Sequence, residues 1–208
     1  MEEKIVKILK SVGAILTDDH FVLTSGKHTD TYVNKDALYP HTIATSKVCK
    51  MMALRCEKLD IDTVVAPALG GIILSQWTAF HLSKLKKKEI FGVYAEKTKD
   101  SGFVFSRGYD KLITGKKVLV LEDTAVTGGS AKKVVDVVKA HGGEVVAVCV
   151  MINRNPKEVN SKVMGVPFYA LGVLEVPAYE ESMMPDSLRK IPVNKKIGHG
   201  VHYVEVKN

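Results

Sequence analysis

Two adjacent carboxylates, Glu122 and Asp123, close the apolar run Val118–Leu121, and after Thr124, Ala125 and Val126 come Thr127, Gly128, Gly129 and Ser130. Beyond Ser130 the stretch Ala131–Lys139 has the spacing of an amphipathic helix. A helix N-terminus offers unpaired N–H groups and a partial positive charge, which together suit a phosphate. The carboxylates repel that phosphate, so they must serve hydroxyls, a metal ion or a developing cation. A phosphorylated sugar satisfies both halves, with its phosphate on the turn and its hydroxyls on the acids. In an open α/β sheet such a ligand sits beyond the carboxyl ends of the strands.

Three further segments carry candidate chemistry. In Val65–Ile72 a proline (Pro67) ends an apolar run, and Leu69, Gly70 and Gly71 open the next helix. Glycines here let a backbone come close to a ligand. The segment Phe21–Asn34 reads as short strands at Phe21–Thr24 and Thr31–Asn34 around a Ser25-Gly26-Lys27 turn, with Tyr32 and Val33 on the second strand and Lys27 in the turn. Arg154 lies directly after the apolar run that ends in Met151, Ile152 and Asn153, where a guanidinium can meet a carboxylate in two-point fashion. The seven histidines show no metal-ligand grouping; His199 and His202, three apart on a predicted strand, point to opposite faces.

Alternating strands and helices position these residues, which predicts an α/β architecture with a mostly parallel sheet. Helices are predicted near residues 3–12, 41–58, 71–84 and 130–140, with Ile43, Val48, Met51, Met52 and Cys56 turned inward on the second. Strands are predicted at Thr63–Ala66, Ile90–Ala95, Val118–Leu121 and Val145–Ile152, with Phe168–Leu171 at an edge. The last helix and the strands around it form a βαβ crossover, which requires parallel strands. Trp77, Met51 and Met52 read as core. The tail from about residue 172 holds Pro177, Pro185 and Pro192 and then an alternating strand candidate, Val201–Val206.

The 208 residues fit one domain, with a core at 41–171 and a small hood from 1–40 and part of 172–208. Hydrophobic residues make up 46% and charged residues 25%, ordinary for a globular protein. No apolar stretch reaches the ~20 residues of a membrane helix, and the N-terminus lacks the order of a secretory signal. Three cysteines without a CxxC pattern point to reduced thiols and a cytoplasmic protein. A net charge of +7 favours anionic ligands. The lysines are dispersed outside Lys84–Lys88 and show no nucleic-acid module, so nucleic acid is disfavoured as a partner.

The Glu122–Ser130 run resembles the phosphoribosyl pyrophosphate (PRPP) signature of type I phosphoribosyltransferases, with Val126 departing where many members carry threonine. The N-terminal segment is similar to that of the orotate phosphoribosyltransferases. The resemblance implies that Glu122, Asp123, Thr124, Ala125, Val126, Thr127, Gly128, Gly129 and Ser130 bind PRPP together with Leu69, Gly70, Gly71, Lys97 and Lys99. It implies a catalytic role for Asp123, Glu122 and Lys99, and a base site at Lys27, Tyr32, Val33 and Arg154. Mg²⁺ would be held mainly through the substrate, with Asp123 as the candidate protein ligand. A homodimer is the implied active unit, with a nucleobase, orotate favoured, as acceptor and pyrophosphate as product. Two departures stand out: Gly70 replaces the usual loop lysine, and Ala95-Glu96 replaces an Arg-Lys pair. They leave open a purine phosphoribosyltransferase or a PRPP-binding regulator without transferase activity.

Overall fold

The computed structural model describes residues 2–23 and 25–197. The predicted strand at 201–206, and His199 and His202, lie outside the described residues. Helix α1 (Glu2–Ser11) is followed by four two-residue strands, β1 (Ile15–Leu16), β2 (Phe21–Val22), β3 (His28–Thr29) and β4 (Tyr32–Val33). Then come α2 (Thr42–Arg55), β5 (Thr63–Pro67), α3 (Gly70–Lys86), β6 (Phe91–Lys97), β7 (Phe103–Val104) and β8 (Lys117–Ala125). The remaining elements are α4 (Gly129–Ala140), β9 (Glu144–Asn153), α5 (Ser161–Met164), β10 (Phe168–Val173) and α6 (Asp186–Arg189).

The main sheet has the order β10-β9-β8-β5-β6-β7, parallel throughout except for β7. Period-two alternation explains its two cores. Val64, Ala66, Leu119 and Leu121 pack toward α1, α2 and α3, while Val65, Val118 and Val120 pack toward α4. Chain order reverses between β5 and β8, which are neighbours in the sheet but consecutive to neither in the chain. That reversal is the switch point where an open sheet leaves a crevice.

The crevice is physically a split. β5 pairs with β8 only as far as Val65 and Val120, whereas β8 continues beside β9 to Ala125. Beyond Val120 the β8 edge facing β5 therefore has no partner strand. Glu122 and Asp123 lie inside β8, not past its end as the sequence suggests, and they border this split.

The N-terminal segment forms two short antiparallel ladders. β2 pairs with β3, and β4 pairs with β1. The tail crosses this layer through bridges from His28 to Tyr179 and from His20 to Val193. Ile43 is a correction: it is 72% exposed, because the buried stripe of α2 runs through Thr45, Val48, Cys49 and Met52. Met51 and Met52 are buried, and Trp77 packs against the core from its margin with its ring stacked on His81.

Candidate functional site

Asp123 is the centre of the split. Its parity with Leu119 and Leu121 turns it to the α3 face, where it is 2% exposed. Lys35 Nζ stands 2.7 Å from Oδ2, and the Tyr39 hydroxyl donates to the same oxygen at 3.2 Å. Oδ1 accepts from the Thr124 amide at 2.6 Å and from its hydroxyl at 3.2 Å. Burial pulls the Lys35 ammonium down, but Asp123, Glu122 and Asp36 together outweigh it and raise its pKa. Burial first and Asp123 second push the Tyr39 hydroxyl up, so it remains a donor. Lys35 and Tyr39 escaped sequence analysis. The available signal was a lysine directly after Asn34, at the end of a segment already singled out.

Glu122, 7% exposed, accepts from the Asp123 amide at 3.2 Å. Burial and then the neighbouring Asp123 charge push its carboxyl up to about 8. Two adjacent buried acids, one of them reluctant to ionise, ask for positive charge or hydroxyl donors from a ligand.

One glycine loop reaches Asp123, and the other leads from β8 into α4. A Cβ on Gly70 would lie 2.7 Å from the Tyr39 hydroxyl and 3.2 Å from Asp123 Oδ2, so the β5–α3 loop touches the acid directly. Leu69 is 83% exposed beside it, and the Ala68–Leu69 peptide is cis. After β8, Gly128 has φ +72°, and Met164 and Val159 fill the space a side chain would need. The Thr127 hydroxyl accepts from the Gly129 amide at 3.3 Å. Gly128, the N-cap residue, brings no side chain to α4, and Thr127, Gly129 and Ser130 are exposed at its start. Helix N–H groups left open in this way form a place for an anion.

Arg154 and Tyr32 lie within electrostatic reach of one another. The Arg154 amide donates to the Ala125 carbonyl at 2.8 Å, which seats the residue against the end of β8. Its Nε is buried and without a partner among the described residues. Burial lowers its pKa, and Tyr32 opposes that shift. Val33 is committed to the ladder with Ile15. Lys27 is paired with Glu180 of the tail at 3.2 Å, both exposed. Lys97 ends β6, and Lys99 lies in the turn to β7; both are exposed. That turn is closed by Thr98 N to Gly102 O at 3.0 Å, and Lys133 ties it to α4 through the Ser101 carbonyl at 2.7 Å. The Glu96 carboxylate accepts from Arg107 Nε at 2.9 Å, which engages the arginine nearest the lysines of this turn.

Comparison with known proteins matches the phosphoribosyl transferase domain family over residues 35–166, the span that holds both glycine loops and the acid pair. The chain belongs to this family. It is thus a phosphoribosyltransferase, a kind of pentosyltransferase, and orotate phosphoribosyltransferases are its relatives. That of Desulforamulus reducens is 36% identical over 93% of this chain and 95% of its own. That of Thermotoga maritima is 34% identical over 95% of this chain and 99% of its own. Solved structures of the Mycobacterium tuberculosis enzyme share the fold. The complex with Fe(III) dicitrate aligns with a TM-score of 0.66 at 23% identity, covering 82% of this chain and 96% of that one. The complex with PRPP aligns with a TM-score of 0.62 at 22% identity and the same coverage.

Proposed function

We propose that the protein transfers the 5-phosphoribosyl group of PRPP to a ring nitrogen of orotate. The nitrogen bonds to the anomeric carbon as the bond to the diphosphate oxygen breaks; the electron pair leaves with pyrophosphate, and the nitrogen gives up its proton to the departing diphosphate. Positive charge develops on the sugar in between. Buried carboxylates fixed in advance stabilise that charge without reorganising, which is where such a site gains most. Asp123 and Glu122 take this role and hold the ribose hydroxyls. The Thr127–Ser130 turn receives the 5-phosphate, and Leu69–Gly71 receive the diphosphate with their backbone. Lys97 and Lys99 approach the leaving group from the β6–β7 turn and exclude water from it.

Among the described residues no group of three or more His, Cys, Asp and Glu is placed to cage a metal. The acid pair instead suits Mg²⁺, a hard ion that keeps waters and substrate oxygens and needs only one or two carboxylates. Asp123, with Glu122 beside it, would hold the ion, which would neutralise charge on the departing diphosphate. A homodimer in the cytoplasm belongs to the same reading.

The observation that carries orotate is the buried, unpartnered Nε of Arg154 within electrostatic reach of Tyr32, at the end of the strand that bears the acids. Such a donor calls for an anionic partner, and a base bearing a carboxylate provides one. The deciding measurement is pyrophosphate release from PRPP and Mg²⁺ with a panel of bases. Release with orotate, and not with adenine, hypoxanthine or uracil, is expected. Release with a purine instead overturns the acceptor. PRPP binding without release from any base turns the protein into a sensor, a reading favoured by the pairing of Arg107 with Glu96.

A further inference from the structure

Asp123 is already saturated before any substrate arrives. Its Oδ1 faces the Thr124 amide and hydroxyl, and its Oδ2 faces the Tyr39 hydroxyl and the Lys35 ammonium. A ribose hydroxyl can reach this carboxylate only if one donor withdraws. The Thr124 donors belong to the next residue of β8, and Tyr39 is wedged against Gly70. Lys35 differs. It sits on a single 3₁₀ turn, Lys35–Ala37, between the hood and α2, and its side chain is 41% exposed against 3% for Asp123. Its flexible four-carbon stem reaches into the split from solvent and can leave it again.

Its destination follows from the neighbouring loop. Gly70 and Lys35 share Asp123 Oδ2 as a neighbour, so the ammonium lies at the mouth of the β5–α3 loop. That loop has no room for a charged side chain at position 70, where the Tyr39 hydroxyl occupies the Cβ site. Within the reading above, diphosphate sits on this loop. A displaced ammonium therefore meets phosphate oxygens instead of bulk water.

Resting on that reading, we propose that Lys35 is an exchangeable counter-ion, which neutralises Asp123 in the free enzyme and passes to the diphosphate of PRPP when the ribose hydroxyls displace it. It supplies from the hood the cation that Gly70 denies to the loop. The exchange makes each half of the donor assist the other, because hydroxyls free the lysine and phosphates hold it away.

The test is calorimetric titration of wild type, Lys35→Met and Lys35→Arg with three ligands: PRPP with Mg²⁺, pyrophosphate with Mg²⁺, and ribose 5-phosphate. Lys35→Met should weaken PRPP and pyrophosphate about tenfold while leaving ribose 5-phosphate unchanged or tighter, since Asp123 is vacated. Lys35→Arg should restore most of the diphosphate affinity. In turnover, Lys35→Met should raise the KM for PRPP about tenfold with kcat changed less than about threefold. Equal weakening of all three ligands would reduce Lys35 to a prop for the site's shape and overturn the proposal. No weakening of any would do so as well. Should Lys35→Met fail to fold, Lys35→Gln is read against the same outcomes. Wild type that binds none of the three refutes the underlying reading, and the role of Lys35 goes with it.

Discussion

Glu122 shows what a binding site costs its own fold. Burial and the Asp123 charge raise its carboxyl from the ordinary 4.5 to about 8. A group whose folded pKa lies above its unfolded value adds stability fully below the unfolded value and loses it as pH rises through the folded one. In ligand-free protein that contribution is present below about pH 4.5 and gone above about pH 8. Glu122→Gln removes the ionisation and keeps the shape, so its melting temperature should overtake wild type as pH climbs from 5 to 9. Moving the carboxyl from 4.5 to about 8 is worth roughly 4–5 kcal/mol, so a gap of at least ~8 °C is expected at the alkaline end. Thermal melts at four pH values check it; a gap that is flat with pH would mean Glu122 is not held protonated. The acids, glycines and hydroxyls of residues 122–130 were legible from the sequence because their chemistry is local and consecutive. Lys35 and Tyr39 were not, because nothing in a one-dimensional string says that a turn after Asn34 returns to a strand more than eighty residues away.

At the scale of elements, legibility followed periodicity. The four long helices and the parallel strands were readable from 3.6- and two-residue spacing, whereas β8 runs on through Glu122–Ala125 because β9 pairs with it there, a tertiary gain no propensity announces. The pairing of the N-terminal strands was not legible, since two-residue ladders carry no period at all. One turn and one seam can be tested. Gly128 combines φ +72° with a Cβ site filled by Met164 and Val159, so Gly128→Ala meets both backbone strain and a collision. It should cost about 1–3 kcal/mol and raise the KM for PRPP more than it lowers kcat, measured by melting and by initial rates. The seam is the His20–His28 pair. His20 Nδ1 donates to the Ile191 carbonyl at 2.7 Å, which leaves its Nε2 to accept from His28 Nδ1 at 2.7 Å. Around them stand Asp19, which accepts from the His20 amide and from Asn194, and Glu181, whose charge favours protonation of His28. Burial first and His20 second nonetheless lower the His28 pKa. Stability from a depressed histidine is present above 6.5 and lost as pH falls through its folded value. Hydrogen exchange should therefore quicken at the His28, Tyr179 and Asn194 amides below about pH 6, while β8 stays protected. Equal protection of the seam at pH 5 and pH 7.5 would remove the pair from this role.

For the molecule as a whole, charge placement matters more than charge count. The net +7 attracts PRPP, yet the densest lysines, Lys84–Lys88, lie at the wrong end of the sheet. Helix α3 leaves the carboxyl edge at Gly70 and runs for 17 residues to Lys86, roughly 25 Å away. There Lys88 pairs with Asp60 and Asp62, and Lys86 donates to the Glu57 carbonyl, beside the amino end of β5. With a screening length of about 8 Å at physiological salt, this cluster has little hold on a ligand in the split. Lys97 and Lys99 stand at the carboxyl edge, on the turn anchored to α4 by Lys133. Replacing Lys84, Lys86 and Lys87 by glutamine should change kcat/KM for PRPP less than about twofold at 0.15 M salt. Replacing Lys97 and Lys99 by glutamine should lower it at least about tenfold and flatten its fall between 0.02 and 0.3 M salt. Comparable losses from the two sets would mean that the protein recruits its sugar donor through total charge alone. A loss confined to the near pair locates the attraction at the edge where the strands part, since only there does a phosphate meet lysines, helix amides and the buried acids together.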